Sequence, residues 1–284
     1  MSNANIEYSN HGFAPSWRLV FDGASSGAWN MAVDEALLRA MCENDAPILR
    51  FYRWQPSCLS IGRFQKTEKL QFDGAPYVRR PTGGRAVWHD LEVTYSVVLR
   101  EEHLPSDMRS VVDSYRFISE GFLRGLETLG VRAEIARGVS ASATSCARSV
   151  QDIAPNCFSS QTRADCVVDG RKILGAAQCR QNGAILQHGS LLLDMNRAAW
   201  QQKVGGDLSR IVTLRDLEIE VSRDELQNIL ARGVSQRFGM PLEKSVLTAR
   251  ETQVAKALLH KFSSSLWNQS GRDEIAEKPR ASVL

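Results

Sequence analysis

Cys166-Val167-Val168-Asp169-Gly170-Arg171-Lys172-Ile173-Leu174-Gly175-Ala176-Ala177 is the stretch that decides the fold class. Runs rich in β-branched residues flank Asp169-Gly170, a dipeptide that accepts the positive φ angles of a two-residue hairpin turn. Strands are therefore predicted over Cys166–Val168 and over residues 173–177. Similar runs predict strands at residues 48–52, 76–80, 93–99 and 190–193. Helical spacing of apolar residues predicts a helix over residues 29–41. A second is predicted from a Ser106 cap to a stop at Gly130, burying Val111, Val112, Tyr115, Ile118, Phe122, Leu126 and Leu129. Ser222-x-x-Glu225 and Thr248-x-x-Glu251 have the form of capping boxes that open two more. Hairpin-linked strands mixed with helices predict an α+β domain rather than a doubly wound sheet.

The 284 residues, 43% hydrophobic and 24% charged, are enough for a core that needs neither metal nor disulfide. A net charge of +3, with no long basic run, argues against nucleic acid as a partner. Residues 1–10 lack the apolar segment of a secretory signal, and no apolar run is long enough to cross a bilayer. A cytoplasmic protein without membrane contact is expected. The six cysteines, at 42, 58, 146, 157, 166 and 179, show no Cys-x-x-Cys pair, so no metal site is expected. The expected organisation is a flexible N-terminus over 1–14, a single domain over 15–262 with its core at about 43–245, and a polar, disordered tail over 263–284.

Three segments offer chemistry. Arg79-Arg80-Pro81-Thr82-Gly83-Gly84-Arg85-Ala86-Val87-Trp88-His89-Asp90 combines a Gly-Gly turn with three arginines and a histidine. Glycine lets backbone approach a ligand closely, but no Lys-Ser/Thr follows, so this is not a P-loop. On local chemistry alone it reads equally as a turn and as a site for a polar or anionic ligand. Cys157 follows an unpatterned stretch over 132–156, longer than loops inside compact domains usually run. Lys172 follows in a strand whose later residues are small, as if something packs on it. Gln187-His188-Gly189-Ser190 opens an apolar run, and His188 reads either as a ligand contact or as an ordinary hydrogen-bonded residue at a strand entry.

Taken together, the chain resembles the biotin/lipoate protein ligase and octanoyltransferase family. The resemblance is carried by Asn30-x-Ala-x-Asp34-Glu35-Ala-Leu, by the segment from Arg79 to Asp90, by Asp169-Gly170-Arg-Lys172-Ile-x-Gly175-x-Ala177-Gln178, and by Gln187-His188-Gly189-Ser190-x-Leu-Leu. It covers roughly residues 17–194. It implies a mixed, largely antiparallel sheet flanked by helices, and acyl transfer to lysine. Asn156-Cys157-Phe158 resembles the octanoyltransferases with ligase-like sequences, where the ATP-dependent ligases carry an Asn-Asp-type motif. Ser159-Ser160-Gln161, Cys166 and Cys179 depart from the pattern.

The resemblance implies Cys157 and Lys172 as catalytic residues, with Arg79, Gly83, Gly84, Arg85, His89, Gly175, Ala177 and His188 binding the acyl substrate. It implies octanoyl-acyl carrier protein as donor and lipoyl-domain proteins, such as the glycine cleavage H protein, as acceptors. No cofactor is expected, and the protein is expected to be a monomer. The alternatives are an ATP-dependent lipoate ligase, an amidotransferase between lipoyl domains, and a non-catalytic acyl-binding protein. A free thiol of pKa ~8.5 is only about 3% thiolate at neutral pH. Lys172 is therefore expected to stabilise the thiolate and the developing oxyanion. On this reading Lys172→Ala slows acylation and barely moves the melting temperature, and the chain beyond Trp267 is dispensable.

Overall fold

Both β8 (Cys166–Val168) and β9 (Arg171–Gln181) form around the Asp169-Gly170 turn, where φ is 49° and 72°. This is a computed structural model, and it describes residues 16–70, 72, 74–136 and 165–273. Cys146, Cys157 and the N-terminal residues 1–14 lie outside the described residues. In chain order the other elements are β1 (Trp17–Ser25), α1 (Gly27–Ala40), β2 (Ile48–Trp54), β3 (Cys58–Ile61), β4 (Tyr77–Arg79) and β5 (Val87–His89). Then come β6 (Glu92–Arg100), α2 (Val111–Glu127), β7 (Glu134–Ile135), β10 (Ala184–Leu192), α3 (Arg197–Lys203), α4 (Arg223–Phe238), β11 (Leu242–Ser245), α5 (Ala249–Ser263) and α6 (Ser265–Ser270).

The expected α+β architecture is present. Eight strands run in the order β11-β1-β2-β6-β10-β9-β8-β7. The β11–β1 and β1–β2 pairs are parallel, and every other pair in that sheet is antiparallel. A small second sheet has the order β4-β3-β5. A second tight turn, Asn182-Gly183 with φ of 51° and 77°, joins β9 to β10. The strand predicted from residue 190 therefore starts earlier, at Ala184.

Side chains alternate across β6. Val93, Tyr95, Val97 and Leu99 join one core with Phe117, Phe122, Leu230 and Val234 of α2 and α4. Val98 joins the other, with Met31, Leu37, Leu258 and Phe262 of α1 and α5. The small sheet buries Leu59, Ile61, Val87 and Trp88 around Trp200 of α3. Helices α2 and α4 meet backbone to backbone, since a Cβ on Gly233 would lie 2.4 Å from the Gly121 carbonyl oxygen. No helix among the described residues is long and apolar enough to cross a membrane.

Two expectations need correction. Ser106 sits in a 3₁₀ turn, and α2 starts later, capped by Ser110, whose hydroxyl accepts the Asp113 N–H at 3.1 Å. That phase leaves Val111 and Val112 in the solvent-facing first turn, 60% and 52% exposed. Residues 264–273, within the tail expected to be disordered, are also built into the fold. Ser264 caps α6, Trp267 is fully buried, and its indole N–H donates to the Arg79 carbonyl at 2.8 Å. One buried tryptophan and a set of carbonyl contacts hold a segment whose composition carries no strand or helix signal.

Candidate active site

Strands β3, β5, β9 and β10 wall a narrow cleft whose empty space, counted out to where it opens to solvent, is about 380 Å³. His89, His188, Gly175 and Ala177, four of the expected residues, line it. Met31, Tyr52, Trp54 and Val87 supply apolar surface, and Gly175-Ala176-Ala177 supplies room. The small residues after Lys172 thus face a space that larger side chains would fill.

Each histidine in the cleft sits between a carboxylate and a hydroxyl. His188 Nδ1 lies 2.8 Å from Asp34 Oδ2, and its Nε2 lies 2.6 Å from Thr82 Oγ1. Asp34 also accepts from Arg50 at 2.8 Å and from the Tyr52 hydroxyl at 2.9 Å, and Arg50 is itself fully buried. Burial would push the Asp34 carboxyl up, but the hydrogen bond from His188 and the Arg50 charge outweigh it and hold it below its usual range. Burial pushes His188 down against the pull of Asp34. An ionised Asp34 assigns the proton to His188 Nδ1, which leaves Nε2 to accept from Thr82.

The second set uses His89. Its Nδ1 lies 2.5 Å from Glu92 Oε1, and its Nε2 lies 2.7 Å from Ser60 Oγ. Thr94 donates to the same Glu92 oxygen at 2.6 Å, and the Trp54 indole N–H donates to Thr94 at 2.9 Å. The Trp54 ring stacks on His89 with centroids 3.9 Å apart and an interplanar angle of 9°. Sequence reasoning singled out both histidines but not Asp34, Glu92, Ser60, Thr82 or Trp54 as site residues. Asp34 and Thr82 lie within the quoted motifs, whereas nothing local marks Glu92 or Ser60.

The arginine-glycine loop is a scaffold beside this cleft. Arg80, not Arg79, lines it, and its guanidinium donates to Ser60 Oγ at 3.1 Å, to the Gly83 carbonyl at 2.8 Å and to the Arg85 carbonyl at 2.7 Å. Arg79 faces the other way. It donates to the carbonyls of Gly62, Arg63 and Gln65 and to those of Trp267, Asn268 and Gln269. Its fork is spent on backbone, which does not fit the expectation that it binds substrate. Gly83, Gly84 and Arg85 do not line the cleft either. Gly84 has φ of 91°, and a Cβ on Gly62 would lie 1.9 Å from the Gly84 carbonyl oxygen, so the two loops touch through glycine alone.

Lys172 is fully buried, with Nζ 2.7 Å from the Asp165 carboxylate, which is itself 1% exposed. It is not a solvated charge, and it lies outside the cleft lining, three residues before Gly175. The expectation that Lys172→Ala leaves melting unchanged does not survive, because the change would strip the cation from a buried carboxylate. Among the described cysteines, burial pushes the thiols of Cys58, Cys166 and Cys179 up to about 12. Cys42 is exposed.

The lipoyl protein ligase A/B catalytic domain family matches residues 26–234. The chain is 42% identical over 273 residues to the octanoyltransferase LipM of Kyrpidia tusciae, covering 89% of this chain and 98% of the relative. It is 36% identical over 274 residues to the octanoyltransferase LipM of Bacillus subtilis, with the same coverage. Among solved structures, lipoate-protein ligase A bound with ATP superposes with a TM-score of 0.74 at 28% identity, covering 90% of this chain and 99% of that one. A bi-partite lipoate protein ligase from Thermoplasma acidophilum, studied with its E2 lipoyl domain, superposes with a TM-score of 0.72 at 27% identity, covering 92% and 98%.

Proposed function

The chain belongs to the lipoyl protein ligase A/B catalytic domain family and is an acyltransferase, and we propose that it moves an octanoyl group from octanoyl-acyl carrier protein, through a thioester on Cys157, to a lysine of a lipoyl-domain protein. The observation that carries this reading is the likeness to octanoyltransferases along nearly the whole length of those relatives. In this reading the protein acts in lipoate biosynthesis as a cytoplasmic monomer and needs no nucleotide.

The chemistry is consistent with that assignment. An acyl-carrier thioester is already activated, so thiolate exchange onto the enzyme runs at little net free-energy cost. The apolar cleft takes the acyl tail, and burying its seven carbons offers about 5 kcal/mol. Gly175 and Ala177 leave space for that tail, and His89 and His188 contribute the polar wall. Arg79, Gly83, Gly84 and Arg85 shape the adjoining loops. Cys157 is the nucleophile in this reading because Asn156-Cys157-Phe158 matches the octanoyltransferase pattern ahead of Lys172, while burial, which pushes Cys58, Cys166 and Cys179 up to about 12, makes those three poor thiolates. Lys172, fixed by Asp165, supplies positive charge to the thiolate or oxyanion.

The test is to mix the protein with octanoyl-acyl carrier protein without nucleotide and locate the adduct by peptide mass. A hydroxylamine-sensitive octanoyl group on Cys157, lost in Cys157→Ser along with transfer to a lipoyl domain, is expected. Labelling that needs free octanoate, ATP and magnesium would make the protein a ligase. Uptake only from an octanoylated lipoyl domain would make it an amidotransferase.

A further inference from the structure

We propose that Ser60, His89 and Glu92 form a proton relay serving the second half of the acyl transfer, with Ser60 Oγ taking a proton from the acceptor lysine and Glu92 orienting His89. The proposal rests on the acyl-transfer reading above and adds the base that this reading lacks.

The need for a base follows from the proton count. A lysine side chain has a pKa of about 10.4, so at neutral pH it arrives as an ammonium with no lone pair. In the transfer the C–N bond forms and the C–S bond breaks, its electron pair leaving on sulfur. The nitrogen starts as NH₃⁺ and ends as an amide N–H, so it gives up two protons. One accounts for protonation of the sulfur, and the other must be accepted and released to water. Thioester exchange, the first half, passes one thiolate for another and releases no net proton. A relay of this kind therefore acts on the second half alone.

Ser60 Oγ has the capacity for this role. It sits 2.7 Å from His89 Nε2, where it can donate, and it accepts from Arg80 at 3.1 Å. A hydroxyl oxygen has two lone pairs, so one remains for an amine N–H. Both Ser60 and His89 line the acyl cleft. The proton moves from nitrogen to Ser60 Oγ as the Ser60 proton moves to His89 Nε2. The resulting imidazolium lies against the face of Trp54, where a cation is attracted to the ring.

Charge distinguishes this chain of groups from the Asp34–His188–Thr82 set. Arg50 neutralises Asp34, burial pushes His188 down, and Thr82 is not among the cleft-lining residues. That set is built to stay as it is. Glu92 is 3% exposed and forms no ion pair with Arg or Lys among the described residues, and its Oε2 has no hydrogen-bond partner there. Its charge is available to stabilise an imidazolium at His89. An orphaned buried carboxylate oxygen calls for an explanation. Glu92 also lines a polar cleft of about 470 Å³ with Arg53, Asp90 and Arg223, which shares Trp54 and Thr94 with the acyl cleft. That cleft gives the accepted proton a way back to water.

The experiment uses the full chain and separates the half-reactions. Wild type, Ser60→Ala and Glu92→Gln are each charged with octanoyl-acyl carrier protein and followed by intact mass. They are then discharged in single turnover by a lipoyl-domain acceptor or by hydroxylamine, an amine that is uncharged at neutral pH. Each variant's own hydroxylamine discharge serves as the reference for how well it holds the acyl chain, and discharge to lysine is expected to slow by about a hundredfold relative to it. Equal slowing with both amines would reduce the three residues to a structural network. Normal discharge to lysine in both variants would also overturn the relay, and an octanoyl adduct on Ser60 would make it a nucleophile instead. A wild type that cannot be charged at all would overturn the acyl-transfer reading, and the relay with it.

Discussion

Lys172→Met is the substitution that most directly tests the buried pair beneath the cleft. Methionine keeps most of the side-chain volume, so the loss is mainly one of charge. Lys172 Nζ and Asp165 Oδ1 are 2.7 Å apart, and the two side chains are 0% and 1% exposed. Water therefore offers the carboxylate little compensation. Removing one partner of such a pair costs about 3–5 kcal/mol, mostly the desolvation of the charge left behind. At about 2–4 °C per kcal/mol for chains near this size, the melting temperature should fall by roughly 6–20 °C. Lys172→Met/Asp165→Asn should recover part of that loss, since both charges of the pair are then gone, and the double-mutant cycle measures the coupling directly. Urea denaturation with an unchanged slope would show that the effect is on stability and not on the compactness of the unfolded chain. A single variant melting within about 2 °C of wild type would refute the reasoning. Any activity assay on Lys172 must therefore be run well below the melting onset of the variant.

His103 makes stability depend on pH. Burial lowers it to about 4, and its Nδ1 accepts the Arg100 N–H at 3.0 Å, a bond that protonation would break. Because the folded value lies below the unfolded one of about 6.5, the unfolded chain binds the proton first. Stability should be full above pH 6.5 and fall between about 6.5 and 4, by at most about 1.4 kcal/mol per pH unit from this group. His103→Gln should flatten that slope in a series of thermal melts, and an unchanged slope would remove His103 as its cause. Truncation after Trp267 removes the Asn268 side chain, which accepts the Arg79 N–H at 2.7 Å, and the carbonyls that bind the Arg79 fork. It should lower stability by about 2 kcal/mol or more in urea titrations, where a dispensable tail would show no change.

Local patterns carried much of the fold. β-branched runs marked β2, β6 and β8, and the Asp169-Gly170 turn marked the hairpin at the right residues. Asn182-Gly183 carried an equally strong turn signal that the apolar run after Ser190 masked. Strand β11 reads Leu-Glu-Lys-Ser and has no signal of its own; it pairs only because β1 is beside it. In the site, His89 was legible as a polar residue at a strand end, whereas His188, read as lying at a strand entry, sits in the middle of β10. Their carboxylate partners were less legible. Asp34 comes from a helix 154 residues away, and no periodicity encodes that meeting. Arg79 and Arg80 show the limit most plainly. Adjacent residues leaving a strand point to opposite sides, so one arginine reaches the cleft and its neighbour the C-terminal helix. Sequence alone does not say which.

The parallel pairing of Trp17 with Leu242 has a consequence for how the chain reaches its fold. Closing a loop of that length adds little to the free-energy cost, which grows only with the logarithm of length. It weighs more on the rate, because such contacts form late in a folding reaction. Until residues 242–245 arrive, β1 is an open strand edge, the feature through which partly folded chains pair with one another. The latch is Arg18, whose guanidinium reaches Glu251 on the first turn of α5 at 2.5 Å and Ser245 at 3.2 Å. Refolding yield should therefore fall with protein concentration before docking of β11 and α5, and the aggregates should be seeded from the β1 edge of the sheet.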